Sequence, residues 1–217
     1  AVSIMNGDNT NALNIQSGSS ISAADTVTIN MNGNNVNAMN LGGSTALAGP
    51  VAVTITGDNA NAFHVQSGSN LTATHAITTH ISGNNATAFQ IHGNAVITGP
   101  VDVTIAGDNA NGVNVDGHLT AAGVTIDITG DNAHGLLTNG GNITAQGVTT
   151  LHMNGQNSSG LSTNNGAISI VGPLNITTSG DNSNALNTNG GDISISGLAT
   201  LKTTGENSFG AAANANN

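Results

Sequence analysis

The chain has 217 residues, including 30 Gly, 35 Asn and 27 Thr, and its hydrophobic residues (37%) include three Phe and neither Trp nor Tyr, which argues against a compact globule with an aromatic core. One basic residue, Lys202, stands against eleven acids, and the net charge of -10 argues against nucleic acid or an anionic membrane as a partner. The absence of Cys excludes disulfides and thiol catalysis, and no apolar run is long enough for a membrane-spanning helix.

A tripeptide of Gly, an acid or amide, and Asn recurs nine times along the chain, at spacings of 23 to 26 residues. The nine copies begin at Gly7, Gly33, Gly57, Gly83, Gly107, Gly130, Gly155, Gly180 and Gly205. A fixed period of this length is the signature of a solenoid, in which each copy is one turn. The copies fill residues 1–217, so we predict a single repeat domain.

Three short segments in each copy alternate apolar and polar residues, as strands with one buried face do. The segment before the tripeptide reads Val51-Ala52-Val53-Thr54-Ile55-Thr56 in the third copy. The second segment follows six residues after each Gly and carries pairs such as Phe63 and Val65. The third carries one large aliphatic residue in each of eight copies: Ile21, Leu47, Leu71, Ile97, Leu119, Ile143, Ile168 and Ile193.

Strands this short cannot bury their apolar faces alone, whereas equivalent strands of successive copies can stack and satisfy each other's backbone groups. We therefore predict an all-β fold: a right-handed parallel β-helix with three strands per coil and about nine coils of ~25 residues. At about 4.8 Å per coil, such a rod is roughly 43 Å long.

The tripeptide has a structural interpretation. Gly suits a corner that requires positive φ, and the Asn column predicts a ladder of side-chain amides along the axis. The middle residue is expected to be exposed and to need only polarity, although a row of calcium sites at these acids stays open as an alternative. Ala or Gly five residues after each repeat Gly predicts a tightly packed corner.

Seven histidines could suggest a metal site: His64, His75, His80, His92, His118, His134 and His152. Only His80 and His152 share an offset from the repeat Gly, and they lie three coils apart, so we expect scattered surface histidines, no metal site and no cofactor.

Asp102 and Asp127 are predicted to point outward in adjacent coils, with His152 stacked directly beyond Asp127. Their diagonal spacing of about 7–8 Å suits an inverting glycosidase. However, the face offers no aromatic platform and no nearby cation, so we predict no catalytic residues.

The outward column three residues before each Gly holds His80, Asp127 and Lys202 among its Thr residues, which disfavours an ice-binding array.

The repeat resembles the passenger region of bacterial autotransporters, the secreted β-helical part of outer-membrane adhesins. The resemblance rests on phrases such as Ile128-Thr129-Gly130-Asp131-Asn132-Ala133-His134-Gly135-Leu136 and spans all nine copies. It implies a non-enzymatic stalk or adhesive surface outside a bacterial cell that attaches to cell-surface molecules such as glycans, or to itself. It identifies no binding residue. The runner-up functions are a carbohydrate-active β-helix enzyme and an ice-binding solenoid.

The chain begins without Met and carries neither the signal peptide nor the translocating barrel of that family. We therefore expect it to be a segment of a longer protein whose terminal coils present unpaired strand edges.

Overall fold

The computed structural model describes residues 2–214 and the side chains of residues 4–213. The described residues form 24 strands, numbered in chain order, and contain no helix that could cross a membrane. Every strand pair is parallel and joins a residue to its equivalent in the next coil, 23 to 26 positions later. The predicted all-β parallel β-helix with three strands per coil is confirmed.

The strands form three faces. The first face contains β1 (Val2–Asn6), β4 (Val27–Asn32), β7 (Val51–Thr56), β10 (Ile77–Ser82), the second parts of β12 (Asn94–Ala106) and β14 (His118–Thr129), β17 (Thr149–Asn154), β20 (Leu174–Ser179) and β23 (Ala199–Thr204). The second contains β2 (Asn11–Ile15), β5 (Asn37–Leu41), β8 (Asn61–Val65), β11 (Thr87–Ile91), β13 (Asn111–Val115), β15 (His134–Asn139), β18 (Ser159–Asn164), β21 (Asn184–Asn189) and β24 (Ala211–Asn214). The third contains β3 (Ser20–Ala23), β6 (Ser44–Leu47), β9 (Asn70–Ala73), the first parts of β12 and β14, β16 (Asn142–Ala145), β19 (Ala167–Ile170) and β22 (Asp192–Ile195). Across residues 2–214 this makes eight complete coils and two strands of a ninth, close to the nine predicted.

The first face follows the predicted alternation. In β7, Val51, Val53 and Ile55 are buried, whereas Thr54 and Thr56 face outward. The outward column three residues before each Gly is also confirmed by the pairing of equivalent residues in successive coils. It runs through Ile4, Asn30, Thr54, His80, Thr104, Asp127, His152, Thr177 and Lys202.

The large aliphatic residues of the third face occupy two inward columns rather than one. Ile21 and Leu71 both pair with Thr45, whereas Leu47 pairs with the neighbouring small residues Ala23 and Ala73. The next coil repeats this exchange, since Ala95 pairs with Leu71 and Ile97 with Ala73. A large residue in one column is thus accompanied by a small one beside it, which keeps the interior volume of each coil nearly constant.

The repeat Gly is required by the close approach of successive coils. A Cβ added at Gly57, Gly83 or Gly107 would collide with the carbonyl oxygen of the repeat Gly one coil earlier. Positive φ contributes at several copies, such as Gly57 at 146°. The prediction that this corner requires Gly is confirmed. The main reason is the close packing of backbone from successive coils along the axis, and positive φ is secondary.

The predicted ladder of repeat Asn side chains is wrong. All nine repeat Asn residues adopt the left-handed conformation, with φ between 53° and 58°. Their side chains are exposed and make no hydrogen bond within the described residues, while the Asn109 backbone N–H donates to the Asp131 carbonyl. Asn recurs because it tolerates this conformation better than other residues with a Cβ.

The middle residue of the tripeptide forms a ladder instead. A side-chain oxygen of each Asp or Asn accepts a hydrogen bond from the backbone N–H of the middle residue one coil later, as Asp58 does from Asn84 at 2.7 Å. Six other steps repeat this contact at 2.7–2.9 Å, and the step from Gln156 to Asp181 lacks it. The position therefore needs more than polarity, because it favours a side chain of Asp or Asn length.

The second face bends. Two successive side chains, such as Ala62 and Phe63 in β8, are both fully buried, so the strand must turn between them. The Ala or Gly five residues after each repeat Gly lies at this bend, inside the strand rather than at a corner. A Cβ at Gly112 would come within 2.7–2.8 Å of the Ile126 side chain, which explains the small residue.

Candidate functional site

The outward surface of the second face, here called the bent face, differs from the rest of the molecule in charge. Its two outward columns are composed almost entirely of neutral polar side chains and His, and most members are half-buried. The columns are Asn11, Asn37, Asn61, Thr87, Asn111, His134, Ser159 and Asn184, and Asn14, Asn40, His64, Gln90, Asn114, Leu137, Ser162 and Asn187. No acid lies in either column within residues 2–214. Asp116 directly follows β13, and the six acids of the tripeptide, such as Asp58 before β8, line the corner that leads into strands of this face.

Side-chain amides form ladders along the bent face. Asn37 donates to Asn11 at 2.8 Å and Asn61 donates to Asn37 at 2.9 Å. A second ladder begins at Gln90, which accepts from Asn114 at 3.1 Å. It continues through Asn139, Asn164 and Asn189 at 2.9–3.4 Å. Axial amide ladders are thus present, but at positions that sequence reasoning did not identify.

A compact polar cluster interrupts these ladders at three successive coils. The Nδ1 atom of His92 lies 2.7 Å from an Asp116 carboxylate oxygen, and both side chains are about one-third exposed. The His64 ring packs edge to face against the His92 ring, with centroids 5.5 Å apart and an interplanar angle of 76°. Gln90 completes the cluster, since its Nε2 atom lies 3.3 Å from Nε2 of His92.

The protonation of this cluster follows from its contacts. Because the Asp116 carboxylate accepts, Nδ1 of His92 carries the hydrogen, and its Nε2 lone pair faces the Gln90 amide. Burial, and secondarily the neighbouring His92, lowers the pKa of His64 below its usual value. Near neutral pH His64 is therefore an uncharged imidazole beside an imidazole that a carboxylate orients.

In the sequence the histidines look scattered, because only His80 and His152 share an offset from the repeat Gly. His92 and Asp116 do share one offset, nine residues after Gly83 and Gly107, and His64 lies two positions earlier in the preceding coil. The diagonal reasoning applied to Asp102 and Asp127 would have found this cluster. The corners at 92–93 and 116–117 are each two residues long. His92 and Asp116 therefore directly follow the last residue of a strand.

The remaining histidines are separate from one another. His75 contacts Thr74 at 3.1 Å, and His118 contacts Asn142 at 3.3 Å. His134 lies on the bent face, where burial lowers its pKa. Within residues 2–214 no group of three or more His, Asp or Glu side chains is arranged to hold a metal ion.

Asp102, Asp127 and His152 occupy the predicted positions on the first face. Asp102 pairs with Thr125, and Asp127 pairs with His152 one coil later, so the diagonal arrangement is confirmed. All three side chains are exposed, and none makes a hydrogen bond or ion pair with another described residue. No part of the fold isolates them from bulk water.

Surface depressions in the described part of the chain are shallow. One of about 350 Å³ is lined by Ser20, Ser22, Ser44, Thr72 and their neighbours on the third face. Another, of about 210 Å³, lies between Thr54, His80 and Thr104 on the first face. Neither contains an acid or a base apart from His80, and their walls are outward strand residues.

Comparison with known proteins finds no matching family model, no matching curated protein and no matching solved structure. The class that the fold defines is the parallel β-helix.

Proposed function

We propose that this chain is a non-enzymatic, extracellular β-helical region of the bacterial cell surface that acts as a stalk or adhesive surface. It resembles an autotransporter passenger in its repeat, and its role is attachment or self-association through multivalent polar contacts. The observation that carries the proposal is the bent face, where neutral polar side chains recur at one-coil spacing over the length of the rod.

The chemistry of the bent face favours a neutral, hydroxyl-rich partner such as a glycan of a host or neighbouring cell. Amides present both a donor and an acceptor, and the ladders leave part of each amide's capacity unused. A net charge of -10 repels anionic partners, whereas the two outward columns of this surface contain no acid within the described residues.

Individual contacts on such a surface are weak, because the chain has no Arg, Trp or Tyr as an anchor and the one exposed Phe among the described residues, Phe209, lies at the C-terminal end of the rod. Useful affinity then comes from many equivalent contacts along the rod or from many rods on one cell. Linked binding events raise avidity by about 10²–10⁴ over a single event without any new contact.

A non-catalytic role is supported by the exposure of Asp102 and Asp127. Both carboxyl groups are exposed on an open face, and neither makes a hydrogen bond or ion pair with another described residue that would position it against a substrate.

The test compares the chain as a monomer in solution with the same chain displayed at high density on beads, using immobilised neutral glycans and bacterial cells as targets. We expect binding by the beads and weak binding by the monomer. A matched variant, Asn40→Ala with Asn61→Ala, should reduce bead binding, whereas Thr54→Ala with Thr104→Ala on the first face should not. A nanomolar monovalent ligand would contradict the proposal, as would polysaccharide cleavage that Asp127→Asn abolishes, or thermal hysteresis at micromolar protein.

A further inference from the structure

The cluster of His64, His92, Gln90 and Asp116 brings two imidazole rings together on the described surface, and the carboxylate contacts one of them. It joins β8, β11 and the corners after β11 and β13, so the stacking of three coils holds it together. Neither the amide ladders nor the proposed adhesive role explains why two imidazoles and a carboxylate meet here.

We propose that His64 and His92 bind one divalent transition-metal ion of the borderline class, such as Zn²⁺, with Asp116 as the positioning residue for His92. The site provides two protein ligands, and water completes the coordination. It is independent of the proposed adhesive function.

The separation of the two rings fits a shared ion. With a metal–nitrogen bond of about 2.1 Å and a ring radius of about 1.1 Å, two imidazoles at a tetrahedral angle have centres about 5.2 Å apart. The observed centroid separation is 5.5 Å. His64 makes no hydrogen bond with a described residue, so no such contact has to be broken for a ring nitrogen to bind the ion.

Asp116 has the role that carboxylates have beside metal-binding histidines. By accepting from Nδ1–H of His92 at 2.7 Å, it selects the tautomer in which Nε2 is the free ligand. Gln90 occupies the open side of Nε2 at 3.3 Å, a long contact that an ion can displace.

Almost all the side chains around the cluster are uncharged. The other side chains that border the cluster are the neutral amides of Asn40, Gln66 and Asn114. Asp116 is the one negative charge that faces the site.

The experiment is a titration of chelator-treated protein with ZnCl₂ at pH 7.5, followed by calorimetry and by NMR of the imidazole protons. We expect one ion per chain, with shifts confined to His64 and His92. His64→Gln and His92→Gln should each weaken binding at least tenfold, and Asp116→Asn by about 10–100-fold. His152→Gln, which removes an exposed histidine of the first face, should change nothing.

Circular dichroism establishes that each variant is folded. The proposal fails if no heat or shift is observed up to millimolar ZnCl₂, or if His152→Gln weakens binding as much as His64→Gln does. It also fails if Asp116→Asn and wild type bind equally, since the carboxylate would then have no positioning role.

Discussion

The middle coils, residues 51–128, and the later coils, residues 130–208, share one backbone but fill it with different side chains. In the middle coils the inward pairs of the second face are aromatic or aliphatic, and the Phe63 and Phe89 rings stack at 4.7 Å and 3°. In the later coils Thr138 and Thr163 replace the second residue of the pair, and both are fully buried. Their hydroxyl oxygens have no hydrogen-bond partner, and the same holds for Thr149 and Thr178 on the first face.

At the corner after the tripeptide, in contrast, buried hydroxyls are hydrogen-bonded. Ala60, Ala86 and Ala110 of the middle coils are replaced by Ser158, Ser183 and Ser208. Ser183 donates to the carbonyl of Gly155 at 2.9 Å and accepts from the N–H of Ser158 at 3.1 Å. The hydroxyls at this corner are therefore satisfied because backbone groups are within reach, whereas those of Thr138, Thr163, Thr149 and Thr178 inside strands are not.

The largest expected effect is in the aromatic stack of the middle coils. Phe89→Ala should lower the free energy of unfolding by about 3–5 kcal/mol, because it leaves a cavity and removes the stacked ring. Urea unfolding followed by circular dichroism measures this loss. Leu161→Ala is the matched change in the same column of the later coils. If its loss exceeded that of Phe89→Ala, the middle coils would not be the better-packed region.

Exchanging Val and Thr between the two regions tests the unpaired hydroxyls directly. Val65→Thr should destabilise the middle coils by about 1–3 kcal/mol, since it buries a hydroxyl without a partner. Thr163→Val should stabilise the later coils by a similar amount at nearly constant volume. Site-resolved hydrogen exchange reports the change in each coil. A loss of stability in Thr163→Val would mean that the hydroxyl is satisfied, for example by a buried water.

The repeat Asn should give the same effect in both regions, because its role is a local backbone conformation. Asn109→Ala and Asn182→Ala should each cost about 1–2 kcal/mol through the left-handed conformation that a Cβ disfavours. Asn109→Gly and Asn182→Gly should be nearly neutral. Thermal unfolding of the four variants is sufficient. A much larger loss at Asn109 would indicate an axial ladder after all.

The smallest effect is expected at the gap in the corner ladder. Gln156→Asn shortens the side chain to the length that accepts from the next backbone N–H, so it should stabilise the protein by about 0.5–1.5 kcal/mol. Asp58→Gln is the inverse change in the middle coils and should destabilise by a similar amount. Protection of the Asp181 amide against exchange should rise in Gln156→Asn. Unchanged protection would show that side-chain length does not control this step.

The sequence predicted most of the fold because a solenoid converts sequence period into spatial contact. Once the repeat Gly residues were aligned, each residue's axial neighbour followed, which is why the column from Thr54 to His152 and the diagonal of Asp102 and Asp127 were found correctly. The same logic contained the His64, His92 and Asp116 cluster, but comparison of identical offsets alone concealed it. The third-face exchange at Leu47 and Ile97 was missed because an alternating strand has two inward columns, and a list of large residues does not say which one each occupies.

The sequence by itself determined the three-strand coil, the number of copies and the small residues after each tripeptide, since periodicity and hydrophobic alternation depend on local order along the chain. The tertiary structure alone decided which member of the tripeptide forms the ladder. Gly, Asp and Asn are all suited to a corner, and only the distance between coils shows that Gly avoids a carbonyl, Asp reaches the next N–H and Asn adopts positive φ. It also decided the bend of the second face. Two successive inward side chains break the two-residue period of a strand, and they are stable only because the core formed by stacked coils buries both of them.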